Sequence, residues 1–459
     1  MTGHGSFWAR RSRRQFLTKN AKKTGMAVAA VGMLAITAPA LTAEAPKKDE
    51  VFKLTTAIQV PGVAQFFSFD ISFVDPLLKK YFLADRNNKS IDVVDTTNNS
   101  ITQFVNPAYA GFTGNNDTSG PDGVLTVHQS SGATEIWVGD SPGRVWVLNA
   151  ANGAILPPPG VPANPISVGG TTRADELCYS PRDHVVMIAS PGESPPFVTF
   201  IDTLTHKVIS KLKFDGTGGT LNATNGLEQC QWSPETGKFY QNVPEVNGPG
   251  NDSVAGAVAV IDPKTRKVEK SFPIPLEACA GPQGMAIGPH NQILLGCSAP
   301  FPFTPPGHRN SAIINAHSGA VEAILVDQGG ADEVWFNSGD GHYFIPHCNT
   351  PCRAVPSTGA ELLGVIDSEG FREDQSVVIA STTNPAPPPP PAARRIHSVA
   401  ADPHKNQVYV PIPAIGGGAP QYAPTLCSSA PHKIGNPTNA GGCIAVFTTK
   451  HDDDGDHGH

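Results

Sequence analysis

The sequence lacks the short motifs that identify several large classes of enzyme. It contains no Walker phosphate-binding loop and no His-Glu-x-x-His, and neither Gly-x-Ser-x-Gly nor Gly-x-Gly-x-x-Gly occurs in a strand–helix setting. Each of these motifs positions a nucleophile, a phosphate or a metal ion through a defined local geometry. Serine hydrolysis, nucleotide hydrolysis and nicotinamide chemistry therefore have no support. The absence of Cys-x-x-Cys-His leaves covalent c-type haem equally unsupported.

No convincing long amphipathic helix occurs beyond the first fifty residues either. The chain has instead 46 Gly and 44 Pro residues, which separate short runs rich in β-branched and aromatic residues. Short apolar runs bounded by turn residues are typical of β-strands. The sequence therefore predicts an all-β protein.

The N-terminus carries the parts of a cleaved export signal. Residues 12–19 read Ser-Arg-Arg-Gln-Phe-Leu-Thr-Lys, a weakly apolar run covers 25–41, and alanines recur over 38–45. The paired arginines resemble the twin-arginine signal, which exports folded proteins. The alternative, a membrane anchor or an amphipathic helix, is weaker because the run is short and rich in Ala, Gly and Thr. We predict a signal peptide over residues 1–45, cleaved at an undetermined alanine, and a periplasmic or secreted protein.

Positive charge is scarce in the rest of the chain. Residues 1–45 contain seven of the 33 Lys/Arg and one of the 40 Asp/Glu, so their removal changes the net charge from −7 to about −13 (26 − 39). Nucleic acids and anionic membranes attract basic surfaces, so neither is expected as a partner. The charge is compatible with cations or neutral small molecules, and we expect a monomer with no membrane anchor after cleavage.

A repeat with a period near 53 residues runs through the chain. One recurring piece is a short apolar strand that ends in Asp or Asn, followed by a polar turn and a second strand. The Asp or Asn positions are Asp95, Asn149, Asp202, Asp262, Asn315 and Asp367. A second piece, an apolar strand, a polar hairpin and another strand, precedes each copy, most clearly as Trp-Ser-Pro-Glu-Thr-Gly-Lys-Phe-Tyr over 232–240. A seventh, degenerate copy of the first piece covers residues 446–449.

Four strands per unit and seven units are the signature of a β-propeller. In detail the units resemble those of the YVTN-type propellers over roughly residues 51–450. We predict a seven-bladed propeller whose last blade is completed by the N-terminal strand at 51–60, which closes the ring. Residues 384–393 are a polyproline spacer. The acidic, His-rich tail at 451–459 is expected to be disordered.

All eight cysteines follow the predicted signal, which in an oxidising compartment favours disulfides over metal ligands. The four pairs that we favour are Cys178/Cys230, Cys279/Cys297, Cys348/Cys352 and Cys427/Cys443. The first pair would tie two inner strands together, and the other three lie near one rim.

A candidate site follows from polar residues that recur where each inner strand begins. The set comprises Asp70, Asp122, Asp175, Glu176, Glu228, Gln283, Asp332, Glu333 and His397. Around one axis they would form a ring of carboxylates at the channel mouth, on the face that also carries the long loops between second and third strands. Such a ring is compatible with a divalent ion, Ca²⁺ best of all. Alternatively, these groups hydrogen-bond neighbouring blades and a column of water.

Roles can be assigned within this set as hypotheses. The candidate metal ligands are Asp70, Asp122, Asp175, Glu228 and Asp332. The candidate proton-transfer groups are Glu228, Glu333 and His397. The candidate substrate-binding residues are Arg173, Gln283, His347 and Arg395. The histidines His128, His184, His290, His342 and His404 are interpreted as solvent-exposed residues of turns on the opposite face.

Two classes of function compete. The first is a metal-dependent hydrolase or lyase for a lactone, ester or glycoside, with the ion activating water or polarising a carbonyl. Its site arrangement resembles that of gluconolactonase-type propellers, although their sequence motifs cannot be matched here. The second is a non-catalytic propeller that binds a small molecule or protein. Redox work at a quinone or copper centre is weaker, because no clear histidine cluster is present.

Overall fold

The architecture consists of seven antiparallel sheets arranged as propeller blades, as the sequence predicts. The computed structural model describes residues 51–156, 165–298, 309–348, 360–381, 396–414 and 426–449. The predicted signal peptide, the polyproline spacer and the acidic tail lie outside these residues. No helix in the described ranges is long and apolar enough to span a membrane.

Blades 1 to 3 are regular four-stranded units whose strands follow the chain from the axis outward. Blade 1 contains β2 (Phe69–Asp75), β3 (Lys80–Asp85), β4 (Ser90–Asp95) and β5 (Ile101–Phe104). Blade 2 contains β6 (Val124–His128), β7 (Thr134–Asp140), β8 (Arg144–Asn149) and β9 (Ile166–Ser167). Blade 3 contains β10 (Leu177–Ser180), β11 (Val185–Ser190), β12 (Phe197–Asp202) and β13 (Lys207–Lys213).

Blades 4 to 6 repeat this order. Blade 4 contains β14 (Cys230–Ser233), β15 (Lys238–Val243), β16 (Ala257–Asp262) and β17 (Lys267–Pro273). Blade 5 contains β18 (Pro282–Ile287), β19 (Gln292–Cys297), β20 (Ser311–Asn315) and β21 (Val321–Leu325). Blade 6 contains β22 (Trp335–Asn337), β23 (His342–Cys348), β24 (Ala360–Asp367) and β25 (Arg372–Ser381). Short 3-10 helices cover Asn116–Thr118 and Pro289–Asn291.

Blade 7 closes the ring with a strand from each end of the chain. It contains β26 (Ala400–Asp402), β27 (Gln407–Ile412) and β29 (Cys443–Thr449), and the N-terminal β1 (Phe52–Ile58) pairs antiparallel with β29. A fifth strand, β28 (His432–Ile434), runs parallel to β1 on its outer side, and helix α1 (Leu426–Ser429) precedes it. The closing strand was predicted from the sequence; the fifth strand was not.

Apolar side chains from neighbouring blades pack against each other to hold the ring together. At the closure, Tyr81 of blade 1 stacks on Tyr409 of blade 7 with ring centroids 4.9 Å apart. Phe69, Leu83 and Val446 lie in the same buried cluster. Because removing such side chains from water is the main stabilising contribution, the blades support one another rather than folding as independent sheets.

The Asp or Asn that ends each third strand holds the turn that follows it. Asp202 Oδ1, for example, accepts hydrogen bonds from the backbone N–H groups of Leu204 and Thr205 at 3.0 and 2.7 Å. Asp95, Asn149, Asp262, Asn315 and Asp367 accept equivalent bonds. Acceptance by a short side chain stabilises a tight turn, which is why the repeat keeps these two residue types here.

Three disulfides have the predicted partners. Cys178–Cys230 joins the inner-strand regions of blades 3 and 4, Cys279–Cys297 lies in blade 5, and Cys427–Cys443 anchors α1 to β29. Cys352 lies outside the described residues, so the fourth predicted pair stays a prediction. The bonded pairs are compatible with an oxidising compartment.

Candidate functional site

The inner strands bring the predicted acidic residues to one end of the channel. Each inner strand runs from this end, called the upper end, to the hairpin between first and second strands, called the lower end. Acids at the upper starts of blades 1, 3, 4 and 6 line a shared cavity of about 70 Å³. Its lining residues are Asp70, Asn116, Arg173, Asp175, Glu176, Glu228, Gln283, Asp332 and Glu333. Residues up to 263 positions apart in the sequence thus meet at the axis.

Two buried arginines neutralise the three aspartates of blades 1 to 3. Carboxylate oxygens of Asp70, Asp122 and Asp175 lie within 4.8 Å of one another, a spacing that a metal ion could bridge. The Arg86 guanidinium already bridges Asp70 and Asp122, with Nε 3.0 Å from Asp122 Oδ1. Arg173 Nε donates to Asp175 Oδ2 at 2.6 Å. Through Arg86, charge-assisted bonds of this kind join blade 1 to blade 2.

The arginines and burial have opposite effects on the acidity of these aspartates. Burial alone would raise the pKa of Asp70, but attraction by Arg86, His397 and Arg173 outweighs it and lowers that pKa to about 2. Burial dominates at Asp175, whose pKa rises to about 6 despite Arg173, and it raises the pKa of Asp122 well above its usual value. Within the described residues, Asp122 Oδ2 is buried without a hydrogen-bond partner. Asp70 and Asp175 are therefore charged at pH 7, whereas burial favours the protonated form of Asp122.

Among the described residues, no arginine forms an ion pair with the acids of blades 4 and 6, although the charge of Arg173 favours the ionised form of Glu228. Glu333 Oε2 lies 2.8 Å from the Ser398 hydroxyl and accepts from the Ser72 backbone N–H at 3.2 Å. Gln283 Nε2 donates weakly to Glu228 Oε1 at 3.4 Å. Burial and the neighbouring acids raise the pKa of Glu228 and of Glu333 well above the usual value. Like charges that share a low-dielectric site keep their protons unless a cation joins them.

Glu176 adds a further carboxyl to this part of the channel. It follows Asp175 directly and is 94% buried, since its relative exposure is 6%. Burial raises its pKa well above the usual value, with Glu333, Asp175 and Glu228 adding to the effect. Glu176 also lines a second cavity, toward the lower end of the channel.

His397 lies beside the aspartate trio rather than inside the axial cavity. Its ring stacks on Phe69 with centroids 4.8 Å apart, and Nε2 lies 3.2 Å from the Phe69 carbonyl oxygen. The same nitrogen is 3.7 Å from Asp70 Oδ1. His397 therefore does lie among the acids, as predicted. Its contact is with Asp70, so it stabilises the charge of that residue rather than that of Glu228 or Glu333.

A larger cleft adjoins the axial cavity at the upper end. It encloses about 730 Å³ between the loops of blades 3 and 4. Its walls include Asp117, Lys213, Asp215 and the loop at 191–196, and it shares Arg173 and Glu228 with the axial cavity. The volume falls in the range of small-molecule sites. Arg173 is positioned by its bond to Asp117 Oδ1 at 2.7 Å, and Glu228 stands where the two spaces meet.

Of the two remaining predicted binding residues, only His347 is described, and it lies away from this site. Arg395 lies outside the described residues. His347, at the end of β23, is 1% exposed and packs beside Gly364 rather than lining either cavity. Burial lowers its pKa to about 3, so the ring is neutral at physiological pH.

The interpretation of His342 as a solvent-exposed turn residue is wrong. Its side chain is 3% exposed, and Nε2 lies 3.3 Å from Asp374 Oδ2. Nδ1 lies 3.5 Å from Asp340 Oδ1. Burial would lower the pKa of His342, but the two carboxylates reverse the effect and raise it. Of the other four, His184 and His290 do lie in the expected hairpins, with φ of 56° and 53°.

Sequence reasoning missed Arg86, Asn116 and Asp117. Arg86 follows β3 in the turn between the second and third strands of blade 1, and its Nη1 donates to Asn116 Oδ1 at 2.6 Å. The signal that could have found it is position: such turns reach the same upper end as the acids, so a basic residue there faces them. Asn116 and Asp117 lie in the connection to blade 2, which carries no repeat pattern.

Some polar residues near the axis have the alternative role that the sequence left open, which is to hydrogen-bond neighbouring blades. Asn242 Nδ2 donates to the carbonyl oxygens of Gln283 and Gly284, and Gln229 Oε1 accepts from the Met285 N–H. Polar side chains near the axis therefore cross-link inner strands that share no direct ladder. The arginine-bound aspartates belong to this structural set, whereas Glu228 and Asp332 do not.

One comparison with a solved structure supports the fold. A chain in "Crystal Structure of Mitotic Checkpoint Complex" matches with a TM-score of 0.51 and 16% identity, over 83% of this chain and 95% of that one. A chain of "Kuenenia stuttgartiensis Hydrazine Synthase" matches with a TM-score of 0.47 and 14% identity, over 64% of this chain and 74% of that one. No protein-family model and no curated protein matches the sequence. At such identities the likeness concerns the propeller alone.

Proposed function

We propose that this chain is an exported, divalent-cation-dependent hydrolase or lyase with its active site at the upper end of the channel. The observation that carries the proposal is that Glu228 and Arg173 line both the small acidic cavity and the 730 Å³ cleft. A cation in the first space and a small substrate in the second would lie side by side. The three disulfides support residence in an oxidising compartment.

The residues that suit a cation are those that form no ion pair with an arginine among the described residues. Asp332 and Glu333 offer carboxylate oxygens, and Gln283 keeps its amide oxygen free of the bond that its nitrogen makes to Glu228. Hard ions such as Ca²⁺ take carboxylate and amide oxygens of this kind. Asp70, Asp122 and Asp175 fit less well, since Arg86 and Arg173 already supply positive charge there. A bound divalent ion would polarise a carbonyl or activate water.

Glu228 is the group best placed to move a proton. Burial and the neighbouring acids raise its pKa well above the usual value, which favours the protonated form that a general acid requires. Arg173 would hold an anionic or strongly polar part of the substrate in the cleft. Glu333 is buried behind Ser398 and does not line the cleft, so it suits cation binding more than proton transfer.

Hydrolysis of a lactone, ester and glycoside panel, measured with Ca²⁺ and with a chelator, tests this proposal. Turnover by the wild type should require the cation and should fall by about 100-fold or more in Glu228→Gln, the usual size of a general-acid contribution. Glu277→Gln, an exposed acid on the same face, serves as the matched control and should keep full activity. Cation-independent turnover, or an unaffected Glu228→Gln variant, would refute the assignment.

A non-catalytic binding propeller is the second candidate. The Arg86 pairs favour it, because they link Asp70 of blade 1 to Asp122 of blade 2 and so give part of the acid ring a structural role. If the protein binds Ca²⁺ yet turns over nothing in the panel, this candidate replaces the enzyme.

A further inference from the structure

The lower half of the channel contains a pocket quite unlike the acidic cavity above it. It encloses about 390 Å³ and is lined mostly by residues one to four positions beyond the upper acids. Its walls include the aromatic side chains of Phe73, Tyr179, Trp232 and Trp335, with Leu125 among the aliphatic ones. All four aromatic residues remain partly exposed.

The pocket has one charged lining residue within the described ranges, Glu176. This carboxyl also lines the acidic cavity, so it forms the boundary between the two spaces. Its relative exposure is only 6%, and no described side chain or backbone N–H donates a hydrogen bond to its carboxyl group. A buried acid without a partner is costly unless a ligand supplies the counter-charge.

The aromatic walls suit the same kind of ligand. Phe73 and Trp335 meet edge to face with ring centroids 5.7 Å apart. Aromatic faces attract cations through the negative potential of the ring, most strongly when the cation is desolvated. Trp232 already interacts in this way, because the Arg182 guanidinium lies 5.6 Å from its ring centroid.

We propose that the lower pocket binds a monovalent organic ammonium ion with an apolar body. The body packs against Phe73, Tyr179 and Trp335, and the ammonium group pairs with the Glu176 carboxylate. The pocket meets the axial cavity at Glu176, but binding there does not depend on the proposed activity.

The test compares two probes that differ in charge but little in shape, 2-phenylethylammonium and 2-phenylethanol. Calorimetry of the wild-type protein, without divalent cations, should show one saturable site for the ammonium ion and at least tenfold weaker binding of the alcohol. That ratio corresponds to roughly 1.4 kcal/mol, within the range of a partly desolvated cation–π and ion-pair interaction.

Two variants and one wild-type measurement complete the test. Glu176→Gln should weaken ammonium binding to about the level of the alcohol, while Glu235→Gln, an exposed acid on the lower face, should leave it unchanged. Intermolecular NOEs between the probe's ring protons and the Trp335 indole would locate the site in the unmodified protein. Equal affinity for the two probes, or NOEs to other residues only, would overturn the proposal whether or not Glu176→Gln folds.

Discussion

Arg86 is the side chain on which the acid ring most depends. It is 6% exposed, it bridges Asp70 of blade 1 to Asp122 of blade 2, and it donates to Asn116 as well. Buried ion pairs contribute little compared with an apolar replacement of both partners, but removal of one partner leaves an uncompensated charge. The residue therefore acts as the counter-charge that allows two aspartates to be buried side by side.

Arg86→Leu should lower the free energy of unfolding by about 3 kcal/mol, as measured by urea denaturation at pH 7. Asp70 and Asp122 would lose their bridging cation, and the pKa of Asp70 would rise. Arg372→Leu is the control, since this arginine is 54% exposed and should change stability by less than about 0.5 kcal/mol. The second-site change Asp122→Asn should restore part of the loss. An Arg86→Leu protein as stable as the wild type would contradict the account.

Replacement of Glu333 is predicted to raise the stability of the protein rather than to lower it. Because burial raises its pKa in the folded protein, the group binds its proton more tightly there than in the unfolded chain. Its contribution to stability is complete below the unfolded pKa, about 4.3, and is lost as the pH rises through the folded value. Glu333→Gln, which stays neutral, should thus melt at a higher temperature than the wild type at pH 8.

Thermal melts at pH 5 and pH 8, with divalent cations removed, measure this effect. The advantage of Glu333→Gln should shrink at pH 5, where the wild-type carboxyl is protonated, and Glu277→Gln should show no such pH-dependent difference. A variant that is less stable than the wild type at pH 8 would mean that the carboxylate is already compensated by positive charge.

At the scale of single elements, the turn after each third strand links one blade to the one before it. Four residues after the Asp or Asn that recurs in each repeat, the backbone adopts a positive φ. Examples are Gly153 (70°), His206 (55°) and Gly319 (73°). A Cβ on Gly319 would lie 2.3 Å from the Phe272 ring of blade 4, and one on Gly153 would lie 2.5 Å from Phe104 of blade 1. At Gly153 and Gly319 the turn therefore lies too close to the preceding blade to accommodate a Cβ.

Gly319→Ala and Gly218→Ala separate the backbone effect from this contact. Gly218 has a similar φ of 60°, but no atom lies within 4 Å of its added Cβ. Both variants should lose about 1 kcal/mol of stability from the positive φ. Gly319→Ala should lose a further 1–3 kcal/mol or so from the overlap with Phe272. Equal losses in chemical denaturation would show that the blade-to-blade contact yields without cost.

The elements that carry the repeat were predictable, and those outside it were not. The Asp turns follow from a pattern repeated six times. The closing strand β1 follows from the outer edge of the last blade, which would otherwise have no partner strand. Strand β28 has three residues inside a long insertion with no periodicity. Arg86 occupies an ordinary turn, and the buried state of His342 depends on Asp340 and Asp374, which a turn motif does not reveal.

At the scale of the whole molecule, the propeller divides its channel into two chemically different halves. The starts of the inner strands supply acids and amides, and their later residues supply aromatic and aliphatic walls, with Glu176 at the boundary. The sequence predicted the acidic half because the polar positions recur in register. It did not predict the lower pocket, because apolar residues on an inner strand are equally compatible with a filled core.

The most direct test of the central claim, that the unpaired acids at the upper end form a cation site, is calorimetric titration of Ca²⁺ into chelator-treated protein. The account predicts one saturable site per chain in the wild type and in Glu277→Gln, and at least tenfold weaker binding in Asp332→Asn, whose side chain lines the axial cavity. Absence of saturable binding to the wild type, or undiminished affinity in Asp332→Asn, would contradict it.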